Sequence, residues 1–333
     1  MYQVREGEGV KDRLTYIDVI KALCMLYIVA FHHLQEYCTS FPHLEEWIRN
    51  FITTAVLGAF SLTSGILSAA GFERSSGTGE FYRKRFIKSY PLFCTAAICL
   101  YLLNRISVVG YVWNVRQLFL TITGLSPFFP PMASTVWYMG MIMIFWLVTP
   151  MMCRGRDVSR ILYTLGIWIA FYLLLTFAGM DSRVFIYFLP YSAGVFSRKC
   201  RNGITGSVAK QAVLSAICFV FVMLLCREGL LNELTGQTAA ALSGAIAVAL
   251  VCAAISGLLG TREKRVFKLL NDISMPAYLF HRVVYFLLMT AIGSFSLLTA
   301  YFLALPLCLI VSYGIKEIND IVSRKMLKML SPQ

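Results

Sequence analysis

The sequence has 333 residues, of which 58% are hydrophobic and only 14% are charged. A soluble domain carries about 25% charged residues, and a water-soluble fold of this size could not bury so much apolar surface. The composition therefore indicates a polytopic helical membrane protein. The net charge of +13 does not indicate nucleic-acid binding, because the basic residues are distributed as in a membrane protein.

Ten apolar stretches follow one another along the chain, and a membrane span takes about 20 mostly apolar residues. We therefore predict an all-α helical bundle of ten transmembrane helices, forming a single domain over residues 1–333. The longest connection, 107–135, ends in Pro-rich, aromatic sequence and is expected to lie at the interface or to fold back as a short helix. The predicted spans are 16–35, 51–71, 87–106, 136–151, 161–179, 184–197, 211–226, 237–259, 274–292 and 296–315.

Lysine and arginine residues alternate between the two sides of this predicted topology. Most of the 30 basic residues lie in the two terminal tails and in the connections that follow the second, fourth, sixth and eighth spans. This pattern follows the positive-inside rule, so we expect both termini in the cytoplasm and the protein in the cytoplasmic membrane. The basic residues are expected to contact anionic membrane lipids, and no nucleic acid is expected as a partner.

The first span carries ionisable residues within an apolar helix. Asp18 and Lys21 lie near its inner end, and His32 and Glu36 lie near its outer end. Lys21 and His32 are separated by almost three turns of an α-helix, so the spacing places them on one face, whereas His33 points about 100° away. Asp18 can neutralise Lys21. Glu36, one turn after His32, can hold its imidazole in one tautomer.

Charged groups at membrane depth cost about 3 kcal/mol each or more, so they usually face a bundle interior and mark function. We therefore predict that His32 is a general base and that Glu36, Asp18 and Lys21 support it. The alternative is that Asp18 and Lys21 are interfacial anchors and that His32 is a core histidine with satisfied hydrogen bonds. No metal is expected, because the cysteines show no metal-ligand spacing.

Six fragments in chain order resemble landmarks of the acyltransferase type 3 family, whose membrane-bound members O-acetylate surface polysaccharides and other acceptors. The first fragment is Asp18-x-x-Lys21-x10-His32, where the family usually has Arg in place of Lys21. The others are FSLTSGIL (60–67), RKRFIKSYPLF (83–93), VWYMGMIMIFWLVTP (136–150), FLPYSAGVF (188–196) and ISMPAYLFH (273–281). The resemblance implies a membrane acyltransferase with acyl-CoA, above all acetyl-CoA, as donor.

The predicted topology divides the motif residues between two ends of the bundle. Trp137 and Tyr138 fall with His32 toward the outer end and are expected to hold the acceptor, a hydroxyl of a carbohydrate or other small molecule. The residues expected to hold the phosphates of the acyl-CoA at the inner end are Lys21, Ser64, Arg83, Arg85, Lys88, Ser274, Tyr278 and His281. Alternatives without a binding role stay open. The basic residues at 83–88 can be ordinary positive-inside charge, Tyr278 and His281 can be core residues, and Trp137 and Tyr138 can be interfacial anchors.

In the expected reaction, acyl-CoA enters from the cytoplasm and His32 takes the proton of the acceptor hydroxyl as it attacks the thioester. A covalent acyl-histidine is compatible with this chemistry but is not required. The alternative function is a transporter or uptake module, because polar residues within spans also mark substrate pathways. A transporter predicts paired Gly- or Pro-broken helices in two similar halves, and the sequence shows no such symmetry.

Overall fold

A computed structural model of the chain describes residues 9–41, 44–106, 114–132, 135–155, 157–197 and 233–329, with 213–214, 217–218, 220–221 and 224. The described residues are helical throughout the bundle and contain no β-strand, apart from an isolated bridge between Cys38 and Phe295. The predicted all-α class is therefore confirmed.

Eleven labelled helices build the described part of the chain. The first, α1, is followed directly by a π-helical segment, Tyr27–His32, and by a 3-10 segment, Leu34–Tyr37. The helices are α1 Gly9–Leu26, α2 Glu46–Glu73, α3 Thr78–Ile106, α4 Val115–Ile122, α5 Trp137–Cys153, α6 Asp157–Ala178, α7 Ser182–Ser197, α8 Leu234–Leu258, α9 Thr261–Asp272, α10 Ser274–Ile292 and α11 Leu297–Met329.

Seven helical stretches of the described residues are long and apolar enough to cross a membrane. They are Thr15–Tyr37, Glu46–Glu73, Thr78–Arg105, Asp157–Ala178, Leu234–Leu258, Ser274–Ile292 and Leu297–Met329. The predicted spans 136–151 and 184–197 correspond to α5 and α7, which have only 17 and 16 residues. The predicted span 211–226 lies largely outside the described residues. The count of ten spans and the cytoplasmic termini therefore stay predictions.

Close contacts between glycines and facing backbones set the position of α2 at the centre of the bundle. A Cβ atom on Gly65 would lie well within 3.0 Å of the carbonyl oxygen of Tyr191 in α7. In the same crossing, a Cβ atom on Gly194 would lie equally close to the carbonyl oxygen of Leu62 in α2. Small residues allow membrane helices to approach in this way, so these two motif glycines have a packing role.

The connection 107–135 contains the predicted short helix. Helix α4 begins at a capping box, in which the Asn114 side chain accepts from the backbone N–H of Gln117 and the Gln117 side chain accepts from that of Asn114. The connection then enters the bundle, because Thr135 is buried and its carbonyl oxygen accepts a hydrogen bond of 2.6 Å from Tyr278. Residues 107–113 and 133–134 lie outside the described residues.

Candidate functional site

The first span does not keep the regular α-helical period on which the predicted Lys21–His32 face depends. The backbone N–H of His33 donates to the carbonyl oxygen of Ile28 at 3.0 Å, five residues back, which is a π-helical bond. The wider turn rotates His32 relative to Lys21, so their spacing no longer follows that of a regular α-helix. Such π-helical turns occur frequently at functional sites.

Three of the predicted donor-binding cations lie together at the predicted inner end. Arg85 and Lys88 are close enough for their charges to act on Lys21, which is also within range of Asp18 and Asp272. Asp18 additionally accepts a hydrogen bond from the side chain of Asn271 in α9. Lys21 therefore interacts with a second acid, Asp272, besides Asp18, and Asp18 interacts with the amide of Asn271 besides Lys21.

The basic residues of α3 differ in how they are held. Arg85 donates to the carbonyl oxygen of Leu67, and its guanidinium carbon lies 5.7 and 5.5 Å from the ring centres of Phe81 and Trp146. These contacts fix its guanidinium inside the bundle. Lys88 is exposed and Arg83 is half-buried. Arg85 is therefore firmly positioned.

His32 contacts a threonine of α2. Its Nδ1 atom lies 3.4 Å from Oγ1 of Thr53, and that hydroxyl lies 2.7 Å from the carbonyl oxygen of Arg49. Because a carbonyl only accepts, the Thr53 hydroxyl donates to it and accepts from Nδ1–H of His32. A neutral His32 then carries its lone pair on Nε2. The contact is long, as hydrogen bonds of catalytic groups often are before substrate binds.

His33 and His281 form a short hydrogen bond across 248 residues of sequence. Nδ1 of His33 lies 2.7 Å from Nε2 of His281, whose own Nδ1 lies 2.8 Å from the carbonyl oxygen of Tyr278 and 3.1 Å from that of Ala277. Two facing carbonyls require the hydrogen on Nδ1 of His281. In the neutral pair, Nδ1–H of His33 therefore donates to Nε2 of His281, and Nε2 of His33 keeps a lone pair.

This hydrogen bond corrects two of the sequence predictions. His281 does not lie with the cationic residues of the inner end, because it is level with His33 at the other end of the first span. His33 also belongs to the histidine cluster, because its ring centre lies 4.8 Å from that of His32. Sequence spacing missed His33, since a regular helix turns it away from the face that carries His32.

Glu36 does not orient His32. Its Oε1 atom accepts a hydrogen bond of 2.8 Å from Nη2 of Arg282 in α10. The predicted contact with His32 assumes an uninterrupted α-helix, whereas Glu36 lies in the 3-10 segment Leu34–Tyr37. The partner that the structure gives to His32 is Thr53.

A buried aromatic cluster joins residues that the topology had assigned to opposite ends. The Tyr138 hydroxyl lies 3.3 Å from Oγ of Ser61 and close to Ser64, and its ring centre is 5.8 Å from that of Tyr278. The predicted separation of acceptor-binding Tyr138 from donor-binding Ser64 and Tyr278 is therefore not observed. These residues form one layer between the inner cations and the imidazoles, with Thr135 accepting from Tyr278.

The two other predicted residues lie beside this layer. Trp137 is half-buried, and the guanidinium carbon of Arg183 lies 4.3 Å from its ring centre. Asp181 accepts two hydrogen bonds from Arg183, at 2.8 and 2.7 Å, which fixes that guanidinium on the indole. Ser274 is buried at the first residue of α10, roughly 10 Å along the helix from His281.

A cavity of about 360 Å³ lies apart from these groups, at the ends of α2, α5 and α7. Arg154 and Arg160 line it together with Glu73 and the turn 75–77. It contains none of the predicted site residues. Among the described residues, no group of three or more His, Cys, Asp or Glu side chains could hold a metal ion.

We expect the His33–His281 pair to show strong energetic coupling. The change His281→Phe leaves Nδ1–H of His33 without its acceptor, which costs about 1–3 kcal/mol, whereas replacing both partners with apolar groups is nearly neutral. A double-mutant cycle in detergent measures this coupling. We expect His281→Phe to lower the free energy of unfolding more in the wild-type protein than in the His33→Phe variant. Equal destabilisation in both backgrounds would show that the two imidazoles are not bonded.

Comparison with protein families identifies the chain. The family model described as an acyltransferase domain matches residues 14–317, which is nearly the whole chain. No curated protein and no solved structure matches it.

Proposed function

Because the chain belongs to the acyltransferase type 3 family, we propose that it moves an acyl group, above all acetyl, from cytoplasmic acyl-CoA to a hydroxyl of a cell-envelope carbohydrate or a related small acceptor. The observation that carries the proposal is the arrangement of His32. Its Nδ1 faces Thr53, so a neutral ring offers the Nε2 lone pair as a base at one end of a polar path.

Cations at the other end of the path suit the donor. Arg85 and Lys88 both lie within electrostatic range of Lys21, and guanidinium and ammonium groups bind phosphate strongly. We assign the phosphates of the acyl-CoA to this group, with Arg83 beside it. The positive-inside pattern supports a cytoplasmic location for this end.

The layer of Tyr138, Tyr278 and Ser64 separates the cations from the imidazoles. We propose that the extended arm of the acyl-CoA passes this layer, so that its thioester reaches His32. The hydroxyl and aromatic groups of the layer, with Trp137 beside it, suit a polar substrate that also has apolar faces. Access along this route requires side-chain movement, since Tyr138 and Tyr278 are buried.

The proposed chemistry is a direct transfer. Nε2 of His32 takes the proton of the acceptor hydroxyl while the oxygen attacks the thioester carbonyl. The electron pair of the carbonyl moves to its oxygen, and its return breaks the carbon–sulfur bond. The leaving thiolate then receives the proton from His32, which restores the neutral imidazole and releases CoA.

Labelled acetyl-CoA supplied to membranes with and without the protein tests this function. We expect label in a product that mild base releases, as an ester requires, only in membranes that contain the protein. A transporter or uptake module would leave the label in acetyl-CoA. Equal labelling of the two membrane samples would overturn the proposed function.

A further inference from the structure

Arg282 places a positive charge deep in α10 beside the imidazoles. It follows His281 directly, and the residue as a whole is 8% exposed. Its charge acts on His32, on His33 and on His281. A charged residue at membrane depth is costly unless it is paired and used, so a guanidinium at this position requires an explanation.

The ion pair with Glu36 joins two side chains of very different exposure. The Glu36 side chain is 39% exposed, whereas that of Arg282 is only 9% exposed. The acid is therefore the more exposed partner, and the guanidinium is the buried one, on the residue that directly follows His281. A pair between an exposed acid and a buried base contributes little to stability after desolvation of the base. The same hydrogen bond holds the guanidinium in place, and the charge of Arg282 acts on all three histidines.

Acyl transfer to a hydroxyl generates a negative charge that an enzyme must stabilise. When the hydroxyl adds to the thioester, the electron pair of the C=O bond moves onto the carbonyl oxygen. Fixed positive charge aimed at this oxygen is usually the largest single contribution to catalysis of such reactions. The reacting carbonyl lies next to His32 in the proposed function, and Arg282 is the buried cation whose charge reaches all three imidazoles.

We infer that Arg282 is a catalytic residue that stabilises the oxyanion of the acyl-transfer intermediate, and that Glu36 is the positioning residue that holds its guanidinium. This inference rests on the proposed acyl transfer. It assigns to Glu36 a role in orienting a cation in place of the predicted role in orienting an imidazole.

Matched variants distinguish this role from a structural ion pair. Arg282→Gln removes the cation, Arg282→Lys keeps the charge without the planar fork, and Glu36→Gln removes the acid but leaves the guanidinium. Arg49→Gln is a further control, because Arg49 is the other cation whose charge acts on His32. Acetyl transfer from labelled acetyl-CoA is measured in membranes that contain equal amounts of each inserted protein.

We expect Arg282→Gln to lower kcat by roughly 10²–10³-fold, the cost of removing one oxyanion donor, with little change in KM for acetyl-CoA. Arg282→Lys recovers part of the rate. Glu36→Gln and Arg49→Gln lower kcat by less than about tenfold, because the guanidinium of Arg282 remains. If Arg282→Gln does not insert into the membrane, Arg282→Lys is the test. A kcat of Arg282→Lys equal to that of the wild type then overturns the inference.

The inference is also overturned if Arg282→Gln and Glu36→Gln lose activity equally, as two halves of a structural ion pair would, or if the loss appears in KM alone. Both of these results leave the proposed function intact, since the wild-type protein still transfers acyl groups. A wild-type protein that transfers none overturns the proposed function, and the inference falls with it.

Discussion

Replacing His32 with alanine will lower acetyl transfer by roughly 10²–10⁴-fold, the usual contribution of a positioned general base. The loss will appear in kcat, with KM for acetyl-CoA nearly unchanged, because the phosphates are assigned to cations far from the imidazole. His32 is half-buried and its polar contact with Thr53 is long. Its removal is therefore expected to leave the folded, inserted protein intact.

Thr53→Val is the matched control for this prediction. It removes the acceptor of Nδ1–H but keeps the imidazole, so the ring loses its preferred tautomer and orientation but not its basicity. We expect a loss of about tenfold, clearly smaller than that of His32→Ala. Transfer by His32→Ala at the wild-type rate would remove His32 from the chemistry. A rate lost equally in both variants would show that the threonine contact, and not the base, controls activity.

The second large effect is expected at the crossing of α2 and α7. Gly194→Ala places a methyl group against the carbonyl oxygen of Leu62, a backbone atom that cannot rotate away. Overpacking of a tight core costs about 1–3 kcal/mol and occasionally more, and a backbone clash belongs at the upper end. We expect a markedly lower midpoint of thermal unfolding in detergent and less inserted protein. Gly65→Ala should behave alike, because it meets the carbonyl oxygen of Tyr191.

Gly314→Ala provides the control for this packing prediction. Gly314 lies in α11, and among the described residues no atom outside the adjoining helix backbone lies within 4 Å of the position that its Cβ would occupy. Alanine is also the better helix former, by about 1 kcal/mol in an exposed helix. The variant is therefore expected to match or exceed the wild-type stability. If Gly194→Ala were as stable as Gly314→Ala, the close approach of α2 and α7 would be wrong.

The sequence was sufficient to predict the helical class and most helix positions, because long apolar runs have one stable form in a bilayer. Seven of the predicted spans coincide with helices of spanning length, and two more coincide with the short helices α5 and α7. The number of spans is harder to predict, since helices of 16 or 17 residues fall below the length that hydropathy alone assigns to a membrane.

The sequence singled out several residues that the structure brings together, but it did not predict their pairings. The predicted shared face of Lys21 and His32 assumes a regular α-helix. The π-helical segment Tyr27–His32 changes the angle between the two residues around the helix axis. The same irregularity brings His33 to His281, and the 3-10 segment that follows brings Glu36 to Arg282. Contacts between residues almost 250 positions apart depend on how the helices pack, and local spacing carries no information about them.

The depth of Tyr138 also depended on tertiary structure. As the second residue of α5 it was expected at the outer end. The connection before α5 enters the bundle, however, so that α5 begins beside Ser61 and Tyr278. A short helix preceded by an inserted connection places its first turn at mid-depth, which hydropathy alone cannot show.

In the proposed function, the donor binds at the basic end of the bundle and the acyl group is delivered at the imidazole end. Sealed inside-out vesicles test it directly, because labelled acetyl-CoA added outside them reaches only the cytoplasmic face. We expect labelled ester to form inside these vesicles, where it is protected from an esterase added outside until detergent opens them. Labelled ester that the esterase removes from intact vesicles, or equal labelling by sealed right-side-out vesicles, would contradict it.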